Sequence, residues 1–217
     1  MSHSRTETGS HPAPDATDPR QDRVLLLLSP DPDTVEWCRT AEEFTRAVFA
    51  DVQAIYWGHG DPYPEELDAW EGEWIISFRG DLIVPERVYS KAAKGAINFH
   101  PSPPHFRGLG GHVYALHENH ETFGTTCHHM AKSVDTGQII DVKRFTIAPG
   151  ETATALRHHV GAVSLAQYFE LVSDHIAQGK PVPSSPEQWG ERLYTSKQLK
   201  QWIEETKAVD PGHRCFQ

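Results

Sequence analysis

The stretch that most constrains this chain is five residues long. Val24-Leu25-Leu26-Leu27-Leu28 has no polar member, and Ser-Pro-Asp-Pro-Asp follows it at once. A strand with one wet face alternates apolar and polar side chains. A run apolar at every position instead predicts a strand covered on both faces, as in a parallel sheet flanked by helices.

The rest of the chain supplies partners for such a sheet. Val52–Trp57, Trp74–Phe78 and Gly95–Phe99 read as further strands, with a helix over Ala41–Phe49 capped by Thr40 and another opened by Pro85 and running to about Lys94. A proline- and glycine-rich loop, His100–Gly111, leads into a helix over His112–Asn119. Thr122–Met130 and Ile139–Ile147 are β-branched, flank an Asp-Thr-Gly turn, and read as paired strands. A long helix is predicted from Thr152 to about Ala177, with Leu165, Phe169, Val172 and Ile176 on one face, stopped by Gly179 and Pro181. A short helix follows around Ser196–Glu205. The expected fold is α/β: an open, mostly parallel sheet with helices on both faces and a late antiparallel strand pair. Residues 1–22 are polar and proline-dotted and read as a disordered tail, 23–180 as the main folded domain, and 181–217 as a C-terminal extension.

Composition removes several classes of function. The net charge of −10 opposes a nucleic-acid binder, which needs a basic stripe. No apolar run is long enough to cross a bilayer. Three cysteines without C-x-x-C spacing point to a reducing cytoplasm rather than a disulfide framework. The turn after the first strand holds neither G-x-G-x-x-G nor a P-loop. Fourteen histidines raise the question of metal. However, H-E-x-x-H and Cys₂His₂ spacings are absent, and His128 and His129, as strand neighbours, point to opposite faces. His117 and His120, three apart, could share a helix face; structural or surface roles are expected for all of these.

Ligands of open α/β sheets sit at the carboxyl ends of strands, which singles out Asn98-Phe99-His100-Pro101-Ser102. Asn98 and His100 are two apart on an extended segment and point the same way. An amide donor beside a titratable imidazole can polarise a carbonyl and manage the proton that moves when its carbon is attacked. A rigid strand-to-helix connector is the plainer account of the same residues. Asp135, in Ser133-Val134-Asp135-Thr136-Gly137-Gln138, is likewise ordinary turn chemistry on its own. An aspartic protease would need two such aspartates, and one copy is present.

Taken together, Asn98-x-His100-Pro101-Ser102, Phe106-x-Gly108 and Asp135-x-Gly137, 35 residues after His100, resemble the folate-dependent formyltransferase family over roughly Trp74–Ile147. The resemblance implies that family's Rossmann-like formyltransferase fold, with N10-formyltetrahydrofolate as co-substrate. It implies that Asn98 hydrogen-bonds the formyl oxygen, and that His100 stabilises the oxyanion and helps transfer protons. Asp135 would hold His100 or a water and receive the proton of the attacking amine. By family position, the backbone of Gly80, Asp81, Leu82 and Ile83 and that of Met130 to Val134 would hold the pterin; no metal is implied.

Departures from the family narrow the acceptor. No C-terminal barrel of the methionyl-tRNA enzymes is present, and Ser29-Pro30-Asp31-Pro32-Asp33 lacks the glycines of a phosphate loop. The regulatory domain of the formyltetrahydrofolate hydrolases is not expected in a chain of this length. The expected partner is a small-molecule amine, first a nucleotide-linked amino sugar. The alternatives are an amino-acid-derived amine such as hydroxyornithine, or glycinamide ribonucleotide. A histidine-rich metal binder and a non-catalytic homologue are the rivals of another class; a homodimer is left open, and neither nucleic acid nor membrane is expected as a partner.

Overall fold

A computed structural model describes residues 18–217. In chain order the strands are β1 (Arg23–Leu28), β2 (Asp51–Tyr56), β3 (Gly72–Phe78), β4 (Ala92–His100), β5 (Arg107–Gly108), β6 (Thr122–His129), β7 (Ile139–Thr146) and β8 (Leu193–Tyr194). The helices are α1 (Val35–Val48), α2 (Glu86–Tyr89), α3 (Gly111–His117), α4 (Ala153–Asp174) and α5 (Ser196–Val209). Six strands form one sheet in the order β2-β1-β3-β4-β6-β7, and β5 pairs with β8 in a separate two-stranded ribbon. β1 to β4 run parallel to one another; β6 is antiparallel to both β4 and β7.

The all-apolar β1 is explained by where its two faces go. Val24, Leu26 and Leu28 join Ile76, Phe78, Ile97, Phe99 and Tyr168 under α1 and α4. Leu25 and Leu27 point the other way, to Leu67, Trp70, Ile75, Val88 and Ala96 beneath a 3-10 turn (Glu65–Ala69) and α2. Full burial of such a side chain contributes about 1.5–3 kcal/mol, so neither face tolerates a polar residue. Leu165, Phe169, Val172 and Ile176 all pack on the first of these clusters, as their spacing predicts. Ile176 lies in a 3-10 turn just beyond α4, which Gly179 closes at φ 62°.

Three element boundaries differ from expectation. α1 starts six residues before Ala41, with Thr34 at its N-cap; Thr40 lies inside it and donates its hydroxyl back to the Glu36 carbonyl (2.8 Å). Its buried face, Cys38, Ala41 and Thr45, begins before the expected start. The helix predicted from Pro85 to Lys94 is a single turn, because Ala92–Gly95 pairs with Gly72–Trp74 and becomes the start of β4. α3 ends at His117, so His120 is not on a helix face with it. Of the expected tail, residues 1–17 lie outside the described residues. Pro19–Gln21 forms a 3-10 turn, and buried Asp22 accepts from the Trp74 indole (3.0 Å) and from Lys94 (2.7 Å). No helix among the described residues is long and apolar enough to cross a membrane.

The segment after α4 packs on the body. β8 aligns with β5, Tyr194 rests on Tyr114 with ring centroids 4.4 Å apart, and Leu199 and Trp202 of α5 pack against the cluster that α3 supplies.

Candidate active site

β4 brings Asn98 and His100 to the carboxyl edge of the sheet. Phe99 between them turns to the opposite face and fills the core against Phe78 and Tyr168. Alternation therefore leaves Asn98 and His100 on one side, as predicted. Beyond the strand, Thr125 donates to the His100 carbonyl (3.0 Å) and Thr126 to that of Ser102 (2.7 Å), tying the turn to β6.

Asp135 reaches them from the loop between β6 and β7. Its backbone sits at φ 49°, a left-handed conformation that aspartate tolerates better than most side chains. Gly137 must be glycine, since a Cβ there would lie 1.7 Å from the His129 carbonyl oxygen. The carboxylate accepts from the Gly108 backbone N–H (2.7 Å), while Arg107 donates to the carbonyls of Asp135 (2.9 Å) and Val134 (3.2 Å). The loop is thus fixed from both sides, and Asn98, His100 and Asp135 converge.

At the centre, His100 Nδ1 lies 3.5 Å from Asp135 Oδ2. Its Nε2–H donates to the Phe106 carbonyl (2.8 Å), an atom that can only accept. Both ring nitrogens thus face protein groups, and the donor hydrogen expected to meet an oxyanion is spent on Phe106. Burial pulls the His100 pKa below 6.5, and Asp135 opposes that only in part, so the ring is neutral at pH 7. For Asp135, burial pushes upward, but His100, His128 and the Gly108 N–H together bring its pKa down to about 2. The resting site is a buried carboxylate facing a neutral imidazole nitrogen.

Two further residues complete the cluster. His128 is 3% exposed; its Nε2 stands 3.1 Å from Asn98 Nδ2 and 3.4 Å from Asp135 Oδ1. Trp189 donates its indole N–H to the Gly137 carbonyl (2.7 Å) and sets its ring edgewise to His128 (centroids 4.8 Å) and His100 (5.9 Å). The sequence alone suggests a structural or surface role for His128 and carries no signal at Trp189. The register that puts His128 opposite Asn98 was the missing signal.

The expected pterin-binding stretches flank this cluster. Gly80–Ile83 leaves β3, the neighbour of β4, with Gly80 close against Ser77 Oγ and the Leu27 carbonyl. Asp81 is exposed, yet desolvation by its surroundings, with Asp31 nearby, raises its pKa. Leu82 packs on the same apolar cluster as Met130, at the start of the other stretch. Ile83 (71% exposed) and Val134 (39%) leave apolar side chains uncovered. The remaining histidines disperse: His105 and His120 stack beside Phe106, and His117 packs between Trp202 and His213. Among the described residues, no three His, Cys, Asp or Glu side chains gather as a metal site.

Known proteins share this framework. GDP-perosamine N-formyltransferase of Brucella melitensis biotype 1 is 28% identical over 131 residues, 60% of this chain and 49% of that protein. Methionyl-tRNA formyltransferase of Chlorobium chlorochromatii is 37% identical over 97 residues, 44% of this chain and 31% of that one. The chain therefore spans half or less of the length of these curated relatives. Formyltransferase PseJ of Anoxybacillus kamchatkensis, solved with UDP-4,6-dideoxy-4-formamido-L-AltNAc and tetrahydrofolate, has the same fold: TM-score 0.63, 20% identity, over 88% of this chain and 94% of that one. The family model for formyl transferase matches residues 61–172, just over half of the sequence, and the chain belongs to that family.

Proposed function

We propose that this protein is an N-formyltransferase that moves the formyl group of N10-formyltetrahydrofolate to the amine of a nucleotide-linked amino sugar. The observation that carries the reading is the convergence of Asn98, His100 and an ionised Asp135 at the carboxyl edge of β4. The amino-sugar acceptor is supported by the Brucella relative and by the ligand in PseJ. The net charge of −10 favours a small molecule over tRNA. We place the enzyme in the cytoplasm, with 23–180 as its catalytic body and 181–217 completing it.

The residues present fit the co-substrate. Ile83 and Val134 offer exposed apolar surface on two loops flanking Asn98, and a flat ring system lying there would cover it. Backbone groups of Gly80–Ile83 and Met130–Val134 would hold its polar edge. When bound, N10-formyltetrahydrofolate supplies an activated formyl carbon and a nitrogen leaving group.

The remaining work falls to this chain. Asn98 has a second amide N–H beyond the one facing His128, and that hydrogen meets the negative charge growing on the formyl oxygen. The attacking amine loses a proton as its N–C bond forms, and N10 gains one as its bond to the formyl carbon breaks. No net proton is consumed. His100 Nδ1, unprotonated at rest and facing Asp135, is placed to hold that proton in between, the carboxylate stabilising the imidazolium.

The test is to mix the protein with N10-formyltetrahydrofolate and a panel of amines, reading formyl adducts by mass spectrometry. The panel contains UDP-, GDP- and dTDP-linked amino sugars, hydroxyornithine and glycinamide ribonucleotide. An adduct on an amino-sugar nucleotide is expected. One only on hydroxyornithine or the ribonucleotide would move the acceptor, and none at all would refute the reading.

A further inference from the structure

Building on the formyl-transfer reading, we propose that His128 is a positioning residue of this site, fixing which way the Asn98 amide faces and giving Asp135 a second imidazole neighbour. β4 and β6 are antiparallel with Asn98 directly opposite His128, so the two side chains share a face. His128 Nδ1 lies 2.8 Å from the His129 carbonyl, which can only accept, so Nδ1 carries a hydrogen. In the neutral ring Nε2 is then a bare lone pair.

That assignment settles the amide. Nε2 can only accept, so Asn98 must turn its NH₂ towards it across 3.1 Å. The second N–H of the same group remains as a donor of fixed direction. Without an acceptor at 128 the amide is free to rotate by half a turn and present its oxygen, an acceptor, where a donor is needed. The same Nε2 stands 3.4 Å from Asp135 Oδ1, while His100 Nδ1 stands 3.5 Å from Oδ2. Each imidazole has its other nitrogen committed to a backbone carbonyl. One carboxylate therefore lies between two bare nitrogens, and a proton arriving at any of the three has the others to stabilise it. Trp189 packs edgewise on both rings and limits their movement.

Three variants and one spectrum test this. His128→Phe keeps bulk and removes the acceptor; kcat should fall about 100-fold, with KM for donor and amine within about threefold. His128→Gln restores an acceptor oxygen and should recover to within about tenfold of the parent. Adding His128→Phe to an Asn98→Ser protein should cost less than about threefold, because both act through one amide. Full additivity, a loss confined to KM, or no rescue by Gln would overturn the proposal. Long-range ¹⁵N NMR of the histidine rings should show His128 as the Nδ1–H tautomer at pH 7, and an Nε2–H tautomer would refute it. That spectrum needs no turnover, so it separates failure of this assignment from failure of the formyl-transfer reading.

Discussion

Exchanging Asp135 for asparagine removes a charge while leaving the shape of the site in place. Asparagine also accepts the positive φ at this position, and its Oδ1 can still accept from the Gly108 N–H. What goes is the carboxylate. Its fall from the ordinary 3.8 to about 2 corresponds to about 2 kcal/mol of native-state stabilisation. His100 and His128 supply most of that fall, and with the His100 charge absent at pH 7 and His128 Nε2 a bare lone pair, only the Gly108 N–H offsets burial, so no more than about 1 kcal/mol is expected. The folded pKa lies below the unfolded one. The stabilisation is therefore fully present above the unfolded value near 4 and is lost as pH falls through about 2. At this chain length Asp135→Asn should melt no more than about 4 °C below the parent at pH 7, and the gap should narrow below pH 4. Formyl transfer, followed by mass spectrometry, should fall by about 1,000-fold, since the imidazolium loses its counter-charge. Turnover within a few-fold of the parent, or a melting gap that widens towards pH 3, would refute the reasoning.

The other predictions concern neighbouring groups. His100→Asn should lower kcat by about 100- to 1,000-fold. The parent's kcat/KM should stay flat from pH 8 to 7 and fall on the acid side with a midpoint below 6.5, because burial lowers the His100 pKa and only the unprotonated ring can take a proton; a midpoint above 6.5 contradicts this. Gly137→Ala should abolish folding or lower Tm by more than about 10 °C, since its Cβ would be driven into the His129 carbonyl. Gly150→Ala meets nothing within 4 Å and carries only the strain of φ 77°, about 1 kcal/mol, so its melt should change little. Arg107→Ala removes donors from the carbonyls of Val134, Asp135, Gly190 and Glu191, and transfer rate should drop by about tenfold or more while the protein stays folded.

How far the residues disclose all this depends on whether a feature is local. Val24–Leu28 announces β1 because no polar residue interrupts it, and both of its faces are indeed covered. Asn98 and His100 announce their common side by alternation alone. The start of α1 was misplaced because Thr34 and Thr40 are both plausible caps, and only the packing of Cys38 separates them. Ala92-Ala93-Lys94 suits a helix, and its pairing with β3 overrides that preference. Asp135 is invisible to periodicity; a motif resemblance pointed to it. His128 reads as a structural or surface histidine because its importance depends on strand register. Trp189 meets the site only through the late return of the chain past Gly137, which no local pattern encodes.

The route by which Trp189 and β8 reach Asp135 bears on how the protein is made. A nascent chain carries Asn98, His100 and Asp135 well before it carries the indole that stands beside both imidazoles. Until Leu193 and Tyr194 are free to fold, Arg107 and Gly108 have no strand to pair with, and the Arg107 guanidinium lacks the Gly190 and Glu191 carbonyls that receive it. The site is therefore completed late in synthesis: a chain halted before residue 189 holds Asn98, His100, His128 and Asp135 without the indole that packs on both imidazoles.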